Sequence, residues 1–285
     1  MNTVKLTKIL GEEPLSMSSV GGGCIADSQI IATRSGKKYF LKQGFSNGMF
    51  EKEANGLREL ASADVIRVPE VIHTSKDCLI IEYIKNGSKK KDFFEYFGHK
   101  LALLHQRTAE GYGFFEDNFI GSTPQINLAS EEEKNNWPLF YWNKRILYQF
   151  RLAEKNGYAD KTLTSLISKL ESVLEDILSA GAEPPALLHG DLWGGNYMVD
   201  ESGSPVLIDP AVYYGHREAD LAMTKLFGGF SEDFYRAYQQ TYPLKAGASE
   251  REPAYLLYHV LNHLNLFGSG YYGQAIQLLR KLTKK

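Results

Sequence analysis

Apolar positions along the first third of the chain alternate or run in short blocks, and those of the remainder recur with helical spacing. Residues 29–33 and 38–43 are β-type runs on either side of the turn signal Ser35-Gly36, and residues 78–84 form a nearly continuous apolar strand carrying Glu82. Between them, Phe50, Leu57 and Leu60 fall on one face of a predicted helix over residues 49–62. After Lys85-Asn86-Gly87-Ser88 the pattern is helical, over residues 92–107, 138–155, 161–180, 217–227, 231–241 and 253–267. The last of these opens on a proline, which a first helical turn accommodates. The interruption from Pro184 to Pro210 holds Asp200-Glu-Ser-Gly203, the turn of a short hairpin. The expected architecture is α+β and bilobal. Residues 1–86 make a small antiparallel sheet with one helix and end in a hinge, and residues 87–285 make a larger, mostly α-helical lobe.

Composition narrows the partners. The 285 residues include 32 basic and 34 acidic side chains, a balance with no strong field for nucleic acid or an anionic membrane, so a small molecule is the expected partner. Residues 1–15 lack the long apolar core of a secretory signal, and no apolar run approaches the roughly 20 residues of a membrane span. Two cysteines, Cys24 and Cys78, do not make a disulfide framework, and a cytoplasmic location is expected.

The candidate chemistry centres on His189-Gly-Asp-Leu-Trp-Gly-Gly-Asn196 and Ile208-Asp209-Pro210. Asp191 and Asn196 lie five apart and Asp209 follows thirteen later, the spacing by which kinases of the protein-kinase type place a base and two magnesium ligands. Asp191 is expected to take or orient the proton of an attacking hydroxyl, and Asn196 and Asp209 to hold Mg²⁺ through hard oxygen donors. Upstream, Glu53 sits on the apolar stripe of its helix, where a carboxylate is costly unless paired. Lys42, at the end of Tyr39-Phe-Leu-Lys, is the economical partner and would face the phosphates of ATP. A snorkelling lysine and an edge glutamate are the plainer alternative. Gly21, Gly22 and Gly23 bring backbone amides close enough for phosphates, though three glycines also make an ordinary turn. Glu82, Tyr83 and Ile84, at the exit of the apolar strand, would offer backbone groups to the adenine edge.

At these residues the chain resembles the fructosamine/ketosamine-3-kinase family, a branch of the protein-kinase-like fold related to aminoglycoside phosphotransferases and choline kinases. The resemblance rests on Gly21-Gly-Gly-Cys-Ile25, Met49-Phe-x-x-Glu-Ala-x-Gly-Leu57, Asn118-Phe-Ile-Gly-Ser-Thr-Pro-Gln-x-Asn127 and Leu187-Leu-His-Gly-Asp-Leu-Trp-Gly-Gly-Asn196. It continues through Asp209-Pro-Ala-Val-Tyr-Tyr-Gly-His-Arg-Glu-Ala-Asp-Leu-Ala-Met223 and Leu261-Asn-His-Leu-Asn-Leu-Phe-Gly268. It implies ATP-dependent phosphorylation of the 3-hydroxyl of a ketosamine carried by a protein lysine, free amino acid or small amine, whose product breaks down and frees the amine. Gly194 stands where the family usually has serine, which removes neither a metal ligand nor the base. A kinase of aminoglycosides or other amino-alcohols is the same-fold alternative. A nucleotide-binding pseudokinase is the other, and retention of Lys42, Asp191, Asn196 and Asp209 argues against it.

Other residues carry two readings. Trp193 would stack on a sugar face or fill the core. Arg217, Glu218 and Asp220 begin a helix, where acidic groups cap and anchor, or where Glu218 or Asp220 would meet the substrate's ammonium. His259 and His263, four apart, are read as core histidines rather than zinc ligands, and His105 and His189 as structural. Cys24, inside the glycine loop, is a small apolar filler or the site at which oxidation would block nucleotide binding, the protein being a monomer or a dimer linked through Cys24.

Overall fold

The computed structural model of the chain describes residues 2–20, 27–44 and 47–284. They form two compact units, residues 1–93 with 197–210, and residues 94–196 with 211–285.

The first unit is built on a five-stranded antiparallel sheet of β1 (Pro14–Val20), β2 (Asp27–Thr33), β3 (Lys38–Gln43), β4 (Val71–Ser75) and β5 (Cys78–Glu82), in the order β1-β2-β3-β5-β4. Helix α1 (Thr3–Leu10) covers one face, placing Leu6 against Ile31, Leu41, Cys78 and Ile80. Helix α2 (Met49–Ser62) covers the other, placing Phe50, Ala54 and Leu57 against Leu79 and Ile81. This double coverage explains the unbroken apolar run of β5, because successive side chains point to opposite faces and both are buried. It also aims Lys42. Leu41 points to the α1 side, so the next side chain of β3 points to the α2 side, where Glu53 is.

The segment 197–210 joins this unit although it lies far along the chain, so the first unit is not the continuous stretch 1–86. Its hairpin pairs Tyr197–Val199 with Pro205–Leu207 around the turn expected at Asp200–Gly203, and Gly203 adopts φ 78°. The Leu207 amide donates to the Arg67 carbonyl at 2.9 Å, and the Arg67 guanidinium reaches Asp200 at 2.8 Å. A Cβ on Gly87 would lie 2.0 Å from the Asp200 carbonyl oxygen, so only glycine permits that approach.

Burial alone would raise the Asp200 pKa, but the hydroxyl and amide of Ser202, the amide of Ser204 and the Arg67 guanidinium outweigh it and hold it at about 2. A carboxyl with a depressed folded pKa stabilises above its unfolded value, near 4, and loses that contribution as pH falls toward 2. Asp200→Asn should therefore lower stability by about 2 kcal/mol at neutral pH, and the gap from the parent should close between about pH 4 and pH 2. Denaturant melts of both proteins across that range read this out.

The second unit is helical around Ala248–Phe267, whose Tyr255, Leu257, Tyr258, Val260, Leu261 and Leu264 are buried in its main core. Around it lie Trp137–Tyr141, Tyr148–Lys155, Lys161–Glu171, Leu174–Ser179, Glu218–Leu226, Glu232–Thr241 and Tyr272–Leu282. Three sequence expectations change here. The helix expected at residues 253–267 starts at Ala248, with Pro253 inside it. The missing proline N–H deprives only the Ser249 carbonyl, on an exposed residue, and water can replace that bond. The helix expected over 138–155 contains a π-helical segment, Trp142–Leu147, and that expected over 161–180 breaks at Ser172 and Val173. Two short antiparallel pairs complete the unit, Asn118–Ile120 with Thr123–Gln125 and Ala186–Leu188 with Tyr213–Gly215. Among the described residues, no helix is long and apolar enough to cross a membrane.

Candidate active site

In the first unit, Lys42 Nζ donates to Glu53 Oε1 at 2.6 Å and to Asp209 Oδ1 at 2.5 Å. Burial works against the charged ammonium, but the two carboxylates more than offset it and hold the Lys42 pKa above its ordinary value. Burial, with the Asp209 charge nearby, pushes Glu53 upward against the pull of Lys42. The Lys42 side chain is 15% exposed and the Asp209 side chain 49%, so the buried pair fixes the lysine while Asp209 offers its carboxylate to solvent. Asp209 is held at φ 52°, a left-handed conformation uncommon outside glycine that aspartate tolerates better than most residues. The lysine–glutamate pairing read from the helix stripe is present, and Asp209 is its third member.

The second unit holds the loop from His189 to Asn196. The Asn196 side-chain amide donates to the Asp191 carbonyl at 2.8 Å and to its carboxylate at 3.1 Å, and the Asn196 main chain closes a turn on Trp193. The nitrogen of Asn196 is thereby used on Asp191, and its oxygen is the atom suited to a cation. His189 has the structural role expected of it, its Nδ1 accepting from the Asp191 amide at 3.3 Å. Beneath the loop lies Asp220, 1% exposed, whose carboxylate accepts from the His189 amide at 2.7 Å and the Gly190 amide at 2.8 Å. His105 Nε2 is 3.2 Å from the same carboxylate, and its Nδ1 is 2.8 Å from the Tyr238 hydroxyl. Burial raises the Asp220 pKa, and the bond to His105 and the Gly190 amide reverse that, leaving it below the usual carboxylate range.

The helix start considered as a substrate contact faces inward. Glu218, 4% exposed, accepts two bonds from Arg251, at 2.6 and 2.9 Å. Arg217, 1% exposed, makes a fork to Glu183 at 2.6 and 2.9 Å and donates to the Tyr242 and Pro243 carbonyls. With these partners Arg217, Glu218 and Asp220 hold the framework and do not present charge to a ligand, which corrects the substrate role considered for them. The sequence left both readings open because Arg251 lies 33 residues and Glu183 34 residues from its partner. Trp193 is different. Its indole is 37% exposed, too open for core packing, and meets Phe227 edge-on at 5.6 Å.

Glu82 does not leave its carboxylate for a nucleotide, because Arg67 holds it, while Ile84 is buried and the Tyr83 ring lies 5.6 Å from Lys38 Nζ. The loop Gly21 to Gly23 and Cys24 fall outside the described residues. His259 is 3% exposed, and burial, with His263 beside it, pushes its pKa down to about 3, so it is neutral. His263 Nδ1 donates to the His259 carbonyl at 2.7 Å, as the core reading requires.

Among the described residues no group of three or more His, Cys, Asp or Glu side chains is placed to hold a metal ion. Asn196, in the second unit, and Asp209, in the first, each carry a hard side-chain oxygen of the kind magnesium takes alongside phosphate and water.

The sequence profile of the fructosamine kinase family matches residues 3–285. A protein-ribulosamine 3-kinase of Arabidopsis thaliana, described as chloroplastic, is 41% identical over 287 aligned residues, covering 96% of this chain and 84% of that protein. The crystal structure of a candidate fructosamine-3-kinase from Thermobifida fusca superposes with a TM-score of 0.90 at 31% identity, covering 99% of this chain and 98% of the other. At the level of the fold alone, the likeness extends to an ADP-bound aminoglycoside phosphotransferase, with a TM-score of 0.64 at 15% identity over 99% of this chain and 97% of that one.

Proposed function

The chain belongs to the fructosamine kinase family, a group of protein-kinase-like phosphotransferases, and on that premise we propose that it transfers the γ-phosphate of ATP to the 3-hydroxyl of ketosamines. Ribulosamine, erythrulosamine and fructosamine adducts of amines are the substrates, and deglycation of a protein lysine, amino acid or small amine in the cytoplasm is the outcome. The observation that carries this reading is the pairing of Lys42 with Glu53 and Asp209 in a chain that matches the family from residue 3 to 285.

Each residue has a stated task. Lys42, kept charged by two carboxylates, binds phosphate oxygens. Gly21, Gly22 and Gly23 supply amides to the phosphates, and the backbone at Glu82, Tyr83 and Ile84 receives the adenine. Residues up to 86 thus serve the nucleotide and the rest serve catalysis and the acceptor, except that Asn196 and Asp209 serve the metal on the nucleotide's phosphates. Asn196 and Asp209 hold Mg²⁺, which when bound neutralises charge on the phosphates. Asp191 accepts or orients the proton of the sugar hydroxyl, its carboxylate fixed by the Asn196 amide. Trp193 offers an indole face to the sugar, since half-open aromatic faces of this kind stack on apolar ring surfaces.

Phosphate uptake from Mg-ATP measured in parallel on ribulosamine-lysine, fructosamine-lysine and aminoglycosides tests the proposal. Turnover of the ketosamines, with ribulosamine at least as good as fructosamine, is expected. Turnover of aminoglycosides alone would replace the proposal with its same-fold alternative.

A further inference from the structure

The motif from Asn118 to Asn127 has no part in the ATP, metal or acceptor roles proposed for the chain, yet its polar side chains are buried: Asn118 is 5%, Gln125 1% and Asn127 0% exposed. Asn118 and Gln125 face each other across the short hairpin. Gln125 Nε2 donates to the Ala211 carbonyl at 2.9 Å and to Asn118 Oδ1 at 2.9 Å, and Asn118 Nδ2 donates to the Val212 carbonyl at 2.7 Å. The Tyr258 hydroxyl fixes Gln125 from the other side at 2.8 Å, and Asn127 Nδ2 donates to Asn118 Oδ1 at 2.9 Å.

Behind them stands Arg145, 0% exposed, donating to Asn127 Oδ1 at 2.7 Å and the Ile126 carbonyl at 2.6 Å, with its guanidinium 4.1 Å from the Tyr213 ring centre. A cation buried against carbonyls, an amide and rings is costly compared with an apolar residue of the same size. It is carried by the π-helical segment Trp142–Leu147, a rare geometry that recurs at functional sites.

The load these groups bear is the segment of Ala211 and Val212 that leads into the strand Tyr213–Gly215. The Ala211 amide donates to the His189 carbonyl at 2.9 Å, and a Cβ on Gly190 would stand 1.9 Å from the Ala211 oxygen. Ala211 is thus in contact with the two residues that precede Asp191.

We infer that Gln125 and Asn118, braced by Arg145, Asn127 and Tyr258, are positioning residues that set the height of the Asp191 loop through Ala211. Misplacing a reacting group by about 1 Å costs about 100-fold in rate, whereas Lys42 and Glu53 belong to the first unit and these bonds lie within the second. The inference rests on the role proposed for Asp191.

The test is steady-state kinetics of Gln125→Met and Asn118→Ala with Mg-ATP and ribulosamine-lysine, per folded molecule. Leu170→Ala serves as a core truncation elsewhere in the same unit, Leu170 being 0% exposed. The expected result is a kcat about 10- to 100-fold lower for the two network variants, with KM for ATP within about twofold. Leu170→Ala should lose melting temperature comparably and keep kcat within about twofold. Tyr258→Phe, which leaves Gln125 on Ala211, should lose less alone and add little in the Gln125→Met background. If Gln125→Met does not fold, Asn118→Ala decides the matter by the same criterion. A kcat for the network variants within about twofold of the parent, or a fall that Leu170→Ala shares, overturns the inference. A fully active Gln125→Met beside an inactive Asp191→Asn overturns the positioning role alone, whereas a fully active Asp191→Asn removes the reading beneath it.

Discussion

Asp191→Asn is expected to lower turnover about 1,000-fold, within the range a positioned general base contributes, while ATP affinity stays within about twofold. The substitution is nearly isosteric. The Asn196 amide keeps the main-chain carbonyl it binds at 2.8 Å and still finds a side-chain oxygen where it now meets the carboxylate at 3.1 Å. What disappears is the negative charge and its affinity for a proton. Steady-state turnover combined with calorimetric titration of ATP separates the two effects. An Asp191→Asn enzyme with turnover within about threefold of the parent would remove Asp191 from the chemistry.

The largest effect on stability is expected at Asp220. Its carboxylate is buried and takes bonds from two loop amides and lies within reach of His105, so Asp220→Ala leaves three donors without their acceptor in a site closed to water. Removing one side of such an arrangement costs about 3–5 kcal/mol. Chemical denaturation should show a loss of that size, and the folded remainder should also turn over slowly, because the His189 and Gly190 amides no longer fix the segment leading into Asp191. Asp220→Asn retains an oxygen but turns an NH₂ toward one of the donors, and an intermediate loss is expected. A stability change below about 1 kcal/mol for Asp220→Ala would show that the loop does not depend on this carboxylate.

The parts of the site that were legible in the sequence are those whose partners obey a local rule. Glu53 could be read because a carboxylate on an apolar helical stripe demands a cation, and Lys42 because β-strand alternation aims it at that helix. Asp191 and Asn196 could be read together from their spacing of five, which matches that of a kinase base and metal ligand, and in the loop they are hydrogen-bonded to each other. The strands at 29–33, 38–43 and 78–84 and helix α2 were equally plain, whereas β1, β4 and α1 were not read from the pattern. The direction of Glu218 and Asp220 was not legible: an acidic helix start looks the same whether it caps, binds or anchors, and the deciding partners, Arg251 and His105, are remote in sequence. Nor was the membership of residues 197–210 in the first unit, where the tie is Arg67 to Asp200 across 133 positions and the strands are three residues long. The π-helical turn around Arg145 escaped for a related reason, as one widened turn scarcely disturbs a helical pattern of apolar residues. An arginine between tyrosines, isoleucine and leucine was the available signal.

The position of the phosphate on the product distinguishes a ketosamine 3-kinase from its same-fold alternatives. Phosphorus–proton correlation spectroscopy of ribulosamine-lysine after reaction with Mg-ATP should place the new ester on the sugar's O3, followed by slow appearance of free lysine as the product breaks down. A phosphate found on another hydroxyl, or ATP consumed with no phosphorylated ketosamine formed, would contradict the account.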